Sequence, residues 1–316
     1  MLHYGIIGMG PIGSVLAAHL LKAGQRVSAL CYDQAMLDLF TSAPITVSGN
    51  ISVTAKVNDL YLDLKKFIET KPDVIIIATK TCHSAPLVQQ IKRECPHKDT
   101  VFLACQNGID VEEQLVNAFG PHHALRMVLN LGCNDLGNNN IRVHFAMTHY
   151  LSKIKCVDPN IIKKIAGHFN TAGFTTEIKE DYRAYVFKKA LLNSSIGTVC
   201  ALTRMTMQEV LDEPDLERMV KQMVREGIWV AQAEKLDISM SYLDEAMTYL
   251  KKGGNHKPSI LIDIEMNRAT ENDYHCGKIF NFAEKHNIEV AVTQTIYYLM
   301  KNLEQNVTGR LKRSKQ

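Results

Sequence analysis

A chain of 316 residues is long enough for two domains of ordinary size, and its 46% hydrophobic content supports substantial cores. A formal net charge of +3 with 22% charged residues gives no basic field of the kind nucleic-acid binders need, and no apolar run approaches the length of a bilayer span. The expectation is a cytoplasmic globular protein, because the first strand begins within a few residues of Met1 and leaves no room for a leader.

In chain order, the apolar strand Tyr4-Gly5-Ile6-Ile7 runs directly into Gly8-Met9-Gly10-Pro11-Ile12-Gly13, and a helix-forming run continues from Ile12 to Lys22. Strand, GxGxxG loop and helix in that order are the dinucleotide fingerprint of a Rossmann-type sheet. Gly8 permits the tight turn, Gly10 removes the side chain that would block a pyrophosphate, and Gly13 lets the helix pack closely on the strand. The helix then points its free N–H groups at phosphate. A second strand is expected over Arg26 to Cys31, after Gly24, and it ends at Tyr32-Asp33, with Asp33 twenty residues past Gly13.

Further strands are expected at Pro72 to Ala78, Thr100 to Ala104 and Ala124 to Leu131, with helices near Ser84 to Glu94 and Val111 to Ala118. Continuous aliphatic runs of this kind belong to a parallel sheet buried on both faces. From Asn139 to Ile154 the strands are short and polar-punctuated and read as an appended meander, followed by a helix near Pro159 to Asn170 and a strand near Phe174 to Ile178. Beyond Asp181 the strand signal fades. Asp212 is the expected N-cap of a long helix with Pro214 in its first turn, and Ser241 is the expected cap of another that stops at Gly253-Gly254. More helices follow from Ser259 to about Leu303. The expected class is therefore α/β, a Rossmann-type doubly wound parallel sheet in residues 1–180 followed by an all-helical domain in residues 181–316. The first would bind a dinucleotide and the second would serve substrate and dimerisation, with the substrate in the cleft between them.

Eight cysteines are scattered with no CxxC and no His/Cys cluster at metal-ligand spacing, so no metal is expected. Most should be reduced, buried thiols. Cys82, near the predicted cofactor mouth, is the candidate redox-sensitive one. The basic run Arg310 to Lys315 reads as a solvated, frayed terminus.

Candidate site residues fall into two groups. Lys80 and Asn107 end two successive sheet strands, where ligands bind in this fold. Either alone reads equally as a loop residue; together, at equivalent strand ends, they point to the crevice. In the helical half, Lys189 and Asn193 stand four apart with apolar residues between them, so they share one helix face. Ser259 and Glu271 bracket an apolar-rich segment in which Asp263 reads as structural, a cap or an ion-pair partner.

These residues resemble the ketopantoate reductase, or 2-dehydropantoate 2-reductase, family over nearly the whole chain. The resemblance lies in the glycine loop from Gly8, the strand-end Lys80, Gln106-Asn107-Gly108, Lys189 with Asn193, and Ser259-Ile260-Leu261-Ile262-Asp263 followed by Thr270-Glu271. It implies reduction of 2-dehydropantoate to (R)-pantoate by NAD(P)H, a step toward pantothenate and coenzyme A; the apolar helix faces of the second half, read on their own, point to a homodimer. Lys189 would be the general acid, and Glu271 would orient it or hold a substrate hydroxyl. Asn107, Asn193 and Ser259 would fix the substrate carboxylate and hydroxyl. Lys80 would face the cofactor ribose, which with Tyr32, Asp33, Asn107 and the loop Gly8 to Gly13 makes up the cofactor contacts.

Two positions depart from the family. Gly197 stands where a second asparagine is usual, which opens the alternative of a different 2-keto acid or a β-hydroxy acid. Asp33 stands where NADPH-dependent members carry a basic residue; family precedent favours NADP, whereas a carboxylate there favours NAD, with Arg26 and Lys80 the cations available for a 2′-phosphate. A non-catalytic nicotinamide-binding sensor is the third reading, and the presence of Lys189, Asn193, Ser259 and Glu271 together weighs against it.

Overall fold

The computed structural model describes residues 1–95 and 99–313, with side chains described through Gly309; the basic run Arg310 to Lys315 lies outside the described side chains. The chain divides into two compact units. The first comprises Met1–Gln106 and Asp110–Tyr182, the second Asn107–Ile109 and Arg183–Gln316.

The first unit opens with β1 (His3–Ile7), α1 (Pro11–Lys22), β2 (Arg26–Leu30) and α2 (Gln34–Ser42). Next come β3 (Ile45–Gly49), β4 (Val53–Ala55), β5 (Asp59–Tyr61), α3 (Leu64–Glu69) and β6 (Val74–Ile77). It continues through α4 (Ser84–Glu94), β7 (Val101–Ala104), α5 (Glu113–Phe119) and β8 (Ala124–Val128). It closes with β9 (Leu131–Gly137), β10 (Asn140–Ala146), β11 (His149–Ser152), α6 (Pro159–Thr171) and β12 (Thr176–Lys179).

The main sheet has the order β12-β11-β8-β7-β6-β1-β2-β5. All of its pairs are parallel except β8 with β11. Strands on either side of β1 run in opposite sequence directions, β2 and β5 one way and β6, β7 and β8 the other. The β1/β6 junction is therefore the topological switch point of a doubly wound sheet. The aliphatic runs predicted as central strands are fully buried, as with Val74, Ile75, Ile76 and Ile77 at 0% exposure.

The region read as a meander does two different things. Asn138 and Asn139, both at positive φ, make the tight turn between β9 and β10, a conformation asparagine tolerates better than most residues. That hairpin leaves the main sheet and joins β3 and β4 in a second one, ordered β4-β3-β10-β9, which packs on α1. β11 and β12 instead extend the main sheet. The buried Asn139 side chain ties the hairpin to α2 by donating to the carbonyls of Leu39 and Ala43 at 2.9 and 3.1 Å.

Every long element of the second unit is a helix. It holds α7 (Tyr182–Leu192), whose first residue still belongs to the first unit, then a π-turn at Asn193–Gly197, α8 (Thr198–Thr203) and α9 (Met207–Asp212). α10 (Pro214–Ala233), α11 (Tyr242–Lys251) and α12 (Ser259–Glu265) follow, then a single 3₁₀ turn at Asn272–Tyr274, α13 (Cys276–Lys285) and α14 (Ala291–Arg313). Asp212 is not a cap. It ends α9, a helix started by a capping box in which Thr206 and Glu209 bond reciprocally, and Glu213 precedes Pro214 as the N-cap of α10. Ser241 stands at the N-cap of α11 as expected, but its hydroxyl bonds Ser239 and not the helix.

α10 passes close over α7 at Gly227, where a Cβ would fall 2.0 Å from Leu191 Cδ2, so the absence of a side chain lets Leu191 fill the space. On the same helix, the buried carboxylate of Glu226 accepts from the backbone N–H groups of Val292 and Thr293 at 3.2 and 2.8 Å and anchors the start of α14. A negative charge at that end also meets the positive end of the helix dipole.

Candidate functional site

In the first unit the glycine loop performs three separate steric tasks. Gly8 has φ +102, and a Cβ there would lie 2.4 Å from the Thr79 backbone nitrogen. A Cβ on Gly13 would fall 2.0 Å from the Gly8 carbonyl oxygen, so α1 can approach β1 only because that position is bare. At Gly10 a Cβ would meet nothing within 4 Å, which leaves open space over the loop. Met9 is buried, Pro11 and Ile12 are half-buried, and Pro11 takes the first helical position, where its missing N–H costs nothing.

Neighbouring strand ends carry the other cofactor candidates. Asp33 follows β2 and caps α2, its Oδ1 accepting from Met36 N at 2.8 Å, which fixes the carboxylate beside a helix N-terminus. Tyr32, before it, is 90% exposed. Arg26 opens β2 at the opposite end of the strand and pairs with Asp59 at 3.5 Å, so the fold carries it away from Asp33. Lys80, half-buried, follows β6 and immediately precedes a 3₁₀ turn at Thr81–His83. A residue to which the sequence analysis gives no role fastens these loops: the buried Gln106 donates through Nε2 to the Thr79 carbonyl at 2.8 Å and to the hydroxyls of Thr79 and Ser84. Its place beside Asn107, at the end of an aliphatic strand, was the available signal.

The second unit holds Asn107, Lys189, Asn193, Ser259 and Glu271. The structure brings Asn107 onto Glu271, with Nδ2 donating to Oε2 at 3.4 Å. The pairing spans 164 residues of sequence, and the backbone secures it: Ile109 N donates to Tyr274 O at 2.8 Å and Tyr274 N to Glu271 O at 3.0 Å. Gly108, at φ +114, makes the sharp exit that carries Asn107 there.

Lys189 lies in the last turn of α7, and Asn193 opens the π-turn that follows; both are half-buried. Single π-turns inside helices recur at functional sites because they break the regular face. This one packs against the start of α12, where a Cβ on Gly197 would lie 3.5 Å from Ile260 Cδ1 and 3.8 Å from Pro258 Cβ. Ser259 stands between those two residues, exposed, as the first residue of α12. Asp263 is structural as expected, an ion-pair partner of Arg268 at 3.1 Å.

Among the described residues no group of three or more His, Cys, Asp or Glu is placed to hold a metal, and no helix is long and apolar enough to cross a membrane. Cys31, Cys105, Cys200 and Cys276 are buried, while Cys82, Cys95, Cys133 and Cys156 are half-buried. Burial pushes the thiols of Cys31 and Cys200 up to about 11 and about 12, which holds them in the unreactive protonated form.

A glycine loop at the switch point of a doubly wound sheet, followed by a helical unit bearing an amine, a carboxylate and amides, defines a Rossmann-type oxidoreductase. The chain belongs to the ketopantoate reductase PanE/ApbA family, whose model matches residues 4–155 and whose C-terminal model matches residues 181–304. It is 24% identical over 299 residues to the 2-dehydropantoate 2-reductase of Pyrococcus abyssi, covering 95% of this chain and 97% of that one. Its counterpart from Streptococcus pyogenes is 26% identical over 304 residues, covering 93% and 95%.

Solved structures share the fold. The 2-dehydropantoate 2-reductase of Geobacter metallireducens has a TM-score of 0.87 at 22% identity, over 95% of this chain and 99% of that one. The ternary complex of D-mandelate dehydrogenase with NADH and anilino(oxo)acetate has 0.86 at 21%, over 97% and 99%. A dimeric ketopantoate reductase from Staphylococcus aureus has 0.77 at 20%, over 97% and 100%.

Proposed function

We propose that this protein reduces 2-dehydropantoate to (R)-pantoate with a nicotinamide dinucleotide. The observation that most supports this is the Asn107–Glu271 pair, which places a strand-end amide and a carboxylate together in the unit that also carries Lys189. The cofactor reading is supported by the loop itself: a bare Gly10 under open space suits a pyrophosphate that α1 would hold through its N-terminal amides. Tyr32, Asp33 and Lys80 would take the ribose side. When bound, the reduced nicotinamide supplies hydride to the keto carbon.

The remaining chemistry belongs to the protein. As the keto oxygen gains negative charge, the Lys189 ammonium stabilises it and delivers the proton, leaving the hydroxyl of the product. Glu271 keeps that amine oriented or accepts from a substrate hydroxyl. Asn107, Asn193 and Ser259 donate to the substrate carboxylate and hydroxyl and restrict the reacting atoms to near-attack geometry. Following nicotinamide absorbance across a panel of 2-keto acids tests the reading. Turnover with 2-dehydropantoate is expected, whereas cofactor binding with no oxidation by any keto acid leaves only a nucleotide sensor.

The cofactor is expected to be NADH. A carboxylate at the end of β2 accepts from ribose hydroxyls and repels a 2′-phosphate, and Arg26, at the far end of that strand, is not placed to compensate. The ratio of kcat/KM for NADH over NADPH should be about tenfold or more, equivalent to ~1.4 kcal/mol. Asp33→Asn keeps a good helix cap while removing the charge, so it should narrow that ratio without unfolding α2. A wild-type preference for NADPH would end the argument.

Gly197 supports a second substrate reading. With no donor at that position, a charge-assisted hydrogen bond worth about 1.5–3 kcal/mol is lost, or roughly one to two decades of affinity for 2-dehydropantoate. Another 2-keto acid, turned over faster in the same panel, would then be the substrate; the shared fold of a D-mandelate dehydrogenase is in keeping with such a shift. A second copy of this chain in the cytoplasm is the proposed partner, as in the dimeric relative, and sedimentation velocity decides it.

A further inference from the structure

We propose that Glu304, on the last helix, is a positioning residue that acts through Thr270 to hold Glu271 and the Asn107 loop in place. The inference rests on the reading of Glu271 and Asn107 as site residues. Thr270 is 4% exposed, and its hydroxyl makes two bonds that flank Glu271. It donates to Glu304 Oε2 and accepts from the backbone N–H of Asn272 at 3.2 Å. The residues before and after Glu271 therefore hang on one oxygen, and that oxygen is tied to α14.

The far end of the tie is itself fixed. α14 begins on the buried Glu226 carboxylate, and Glu304 lies thirteen residues past Ala291, between three and four turns on. From Thr270 the bonding continues through Tyr274 N to Glu271 O and through Ile109 N to Tyr274 O, and so reaches the segment that carries Asn107. Asn107 Nδ2 then closes the circuit on Glu271 Oε2.

Glu304 is an expensive choice for a purely structural peg. Burial raises its pKa, the Thr270 hydroxyl and backbone lower it, and the carboxylates of Asp273 and Asp263 raise it again. Those two neighbours are themselves engaged, Asp273 by the Tyr297 hydroxyl at 2.9 Å and Asp263 by Arg268. An apolar residue on α14 would avoid the cost of a half-buried carboxyl among acids, but it would leave the Thr270 hydroxyl without this acceptor.

The test compares Glu304→Leu with Glu304→Gln in the full-length protein, using steady-state kinetics and amide hydrogen exchange. Glu304→Leu should lower kcat about tenfold to a hundredfold, as expected for a lost bond to a charged group. Exchange at the Ile109 and Tyr274 amides should accelerate by about tenfold in the same variant. Glu304→Gln keeps an acceptor and should restore both. Thr270→Val removes the hydroxyl at similar volume, so it should reproduce Glu304→Leu, and the double variant should be no worse than either alone. Unchanged exchange at Ile109 and Tyr274 overturns the proposal whatever happens to turnover. So does accelerated exchange with normal kcat, or loosening spread over the whole helical unit that glutamine fails to rescue. Should the wild type reduce no keto acid at all, the function proposed above fails and the exchange measurement alone decides the positioning role.

Discussion

Lys189→Ala is expected to lower kcat for 2-dehydropantoate by roughly 10²–10⁴-fold, the range that a placed general acid contributes. Reduction of a ketone puts charge on oxygen before the proton arrives, and that charge needs both stabilisation and neutralisation. Removing the amine withdraws both. Lys189→Arg separates them: the guanidinium keeps a positive charge but holds its proton too tightly to give it up, so it should recover only part of the loss. Cofactor affinity should stay near wild type in either variant, because the glycine loop belongs to the other unit. Stopped-flow reduction under single-turnover conditions gives the cleanest measurement, and wild-type rates in Lys189→Ala would remove this residue as the acid.

Gly13→Ala is expected to cost both folding and cofactor, and Gly10→Ala cofactor alone. At Gly13 the new methyl would sit 2.0 Å from a backbone carbonyl oxygen, an atom with no rotamer to yield, so α1 must retreat from β1. Overpacking of this kind costs about 1–3 kcal/mol, and the displaced loop loses the geometry that a dinucleotide requires. At Gly10 the methyl meets no protein atom within 4 Å, so stability should be untouched while the added carbon fills the space reserved for phosphate. Calorimetry paired with cofactor titration separates the two. A Gly13→Ala protein with normal melting temperature and normal affinity would mean that the close approach of helix to strand matters for neither.

The central strands were legible because their chemistry is uniform: Val74 to Ile77 and Val101 to Ala104 are short continuous apolar runs rich in β-branched and aromatic residues, the pattern of strands buried on both faces. The glycine loop was legible because each glycine answers a steric demand visible in the motif. Between Asp33 and Pro72 the sequence carries little pattern, and α2, β3, β4, β5 and α3 are not legible in it. β4 and β5 are three residues each and none of their residues is fully buried, too short a run for alternation to mark a strand. Asp33 read as a ribose ligand; that it also starts α2 depends on a bond to Met36 N that only the fold reveals. Asp212 misled because a good capping residue lay one position before the true cap, inside a short helix with its own capping box. The candidate residues stand out by strand-end position, by helical spacing and by the family resemblance. The Thr270–Glu304 tie does not, since its partners are 34 residues apart and join only when α14 returns over the loop.

The assignment of Asn107–Ile109 to the helical unit has a practical consequence for dissection. The backbone enters that unit twice, briefly after Gln106 and for good at Arg183, so no single cut yields two self-sufficient pieces. A recombinant fragment starting at residue 183 would lack the amide that caps the Tyr274 carbonyl, and its partner fragment would carry an orphaned tripeptide. Swapping halves between homologues would therefore require transplanting this short insert along with the helices.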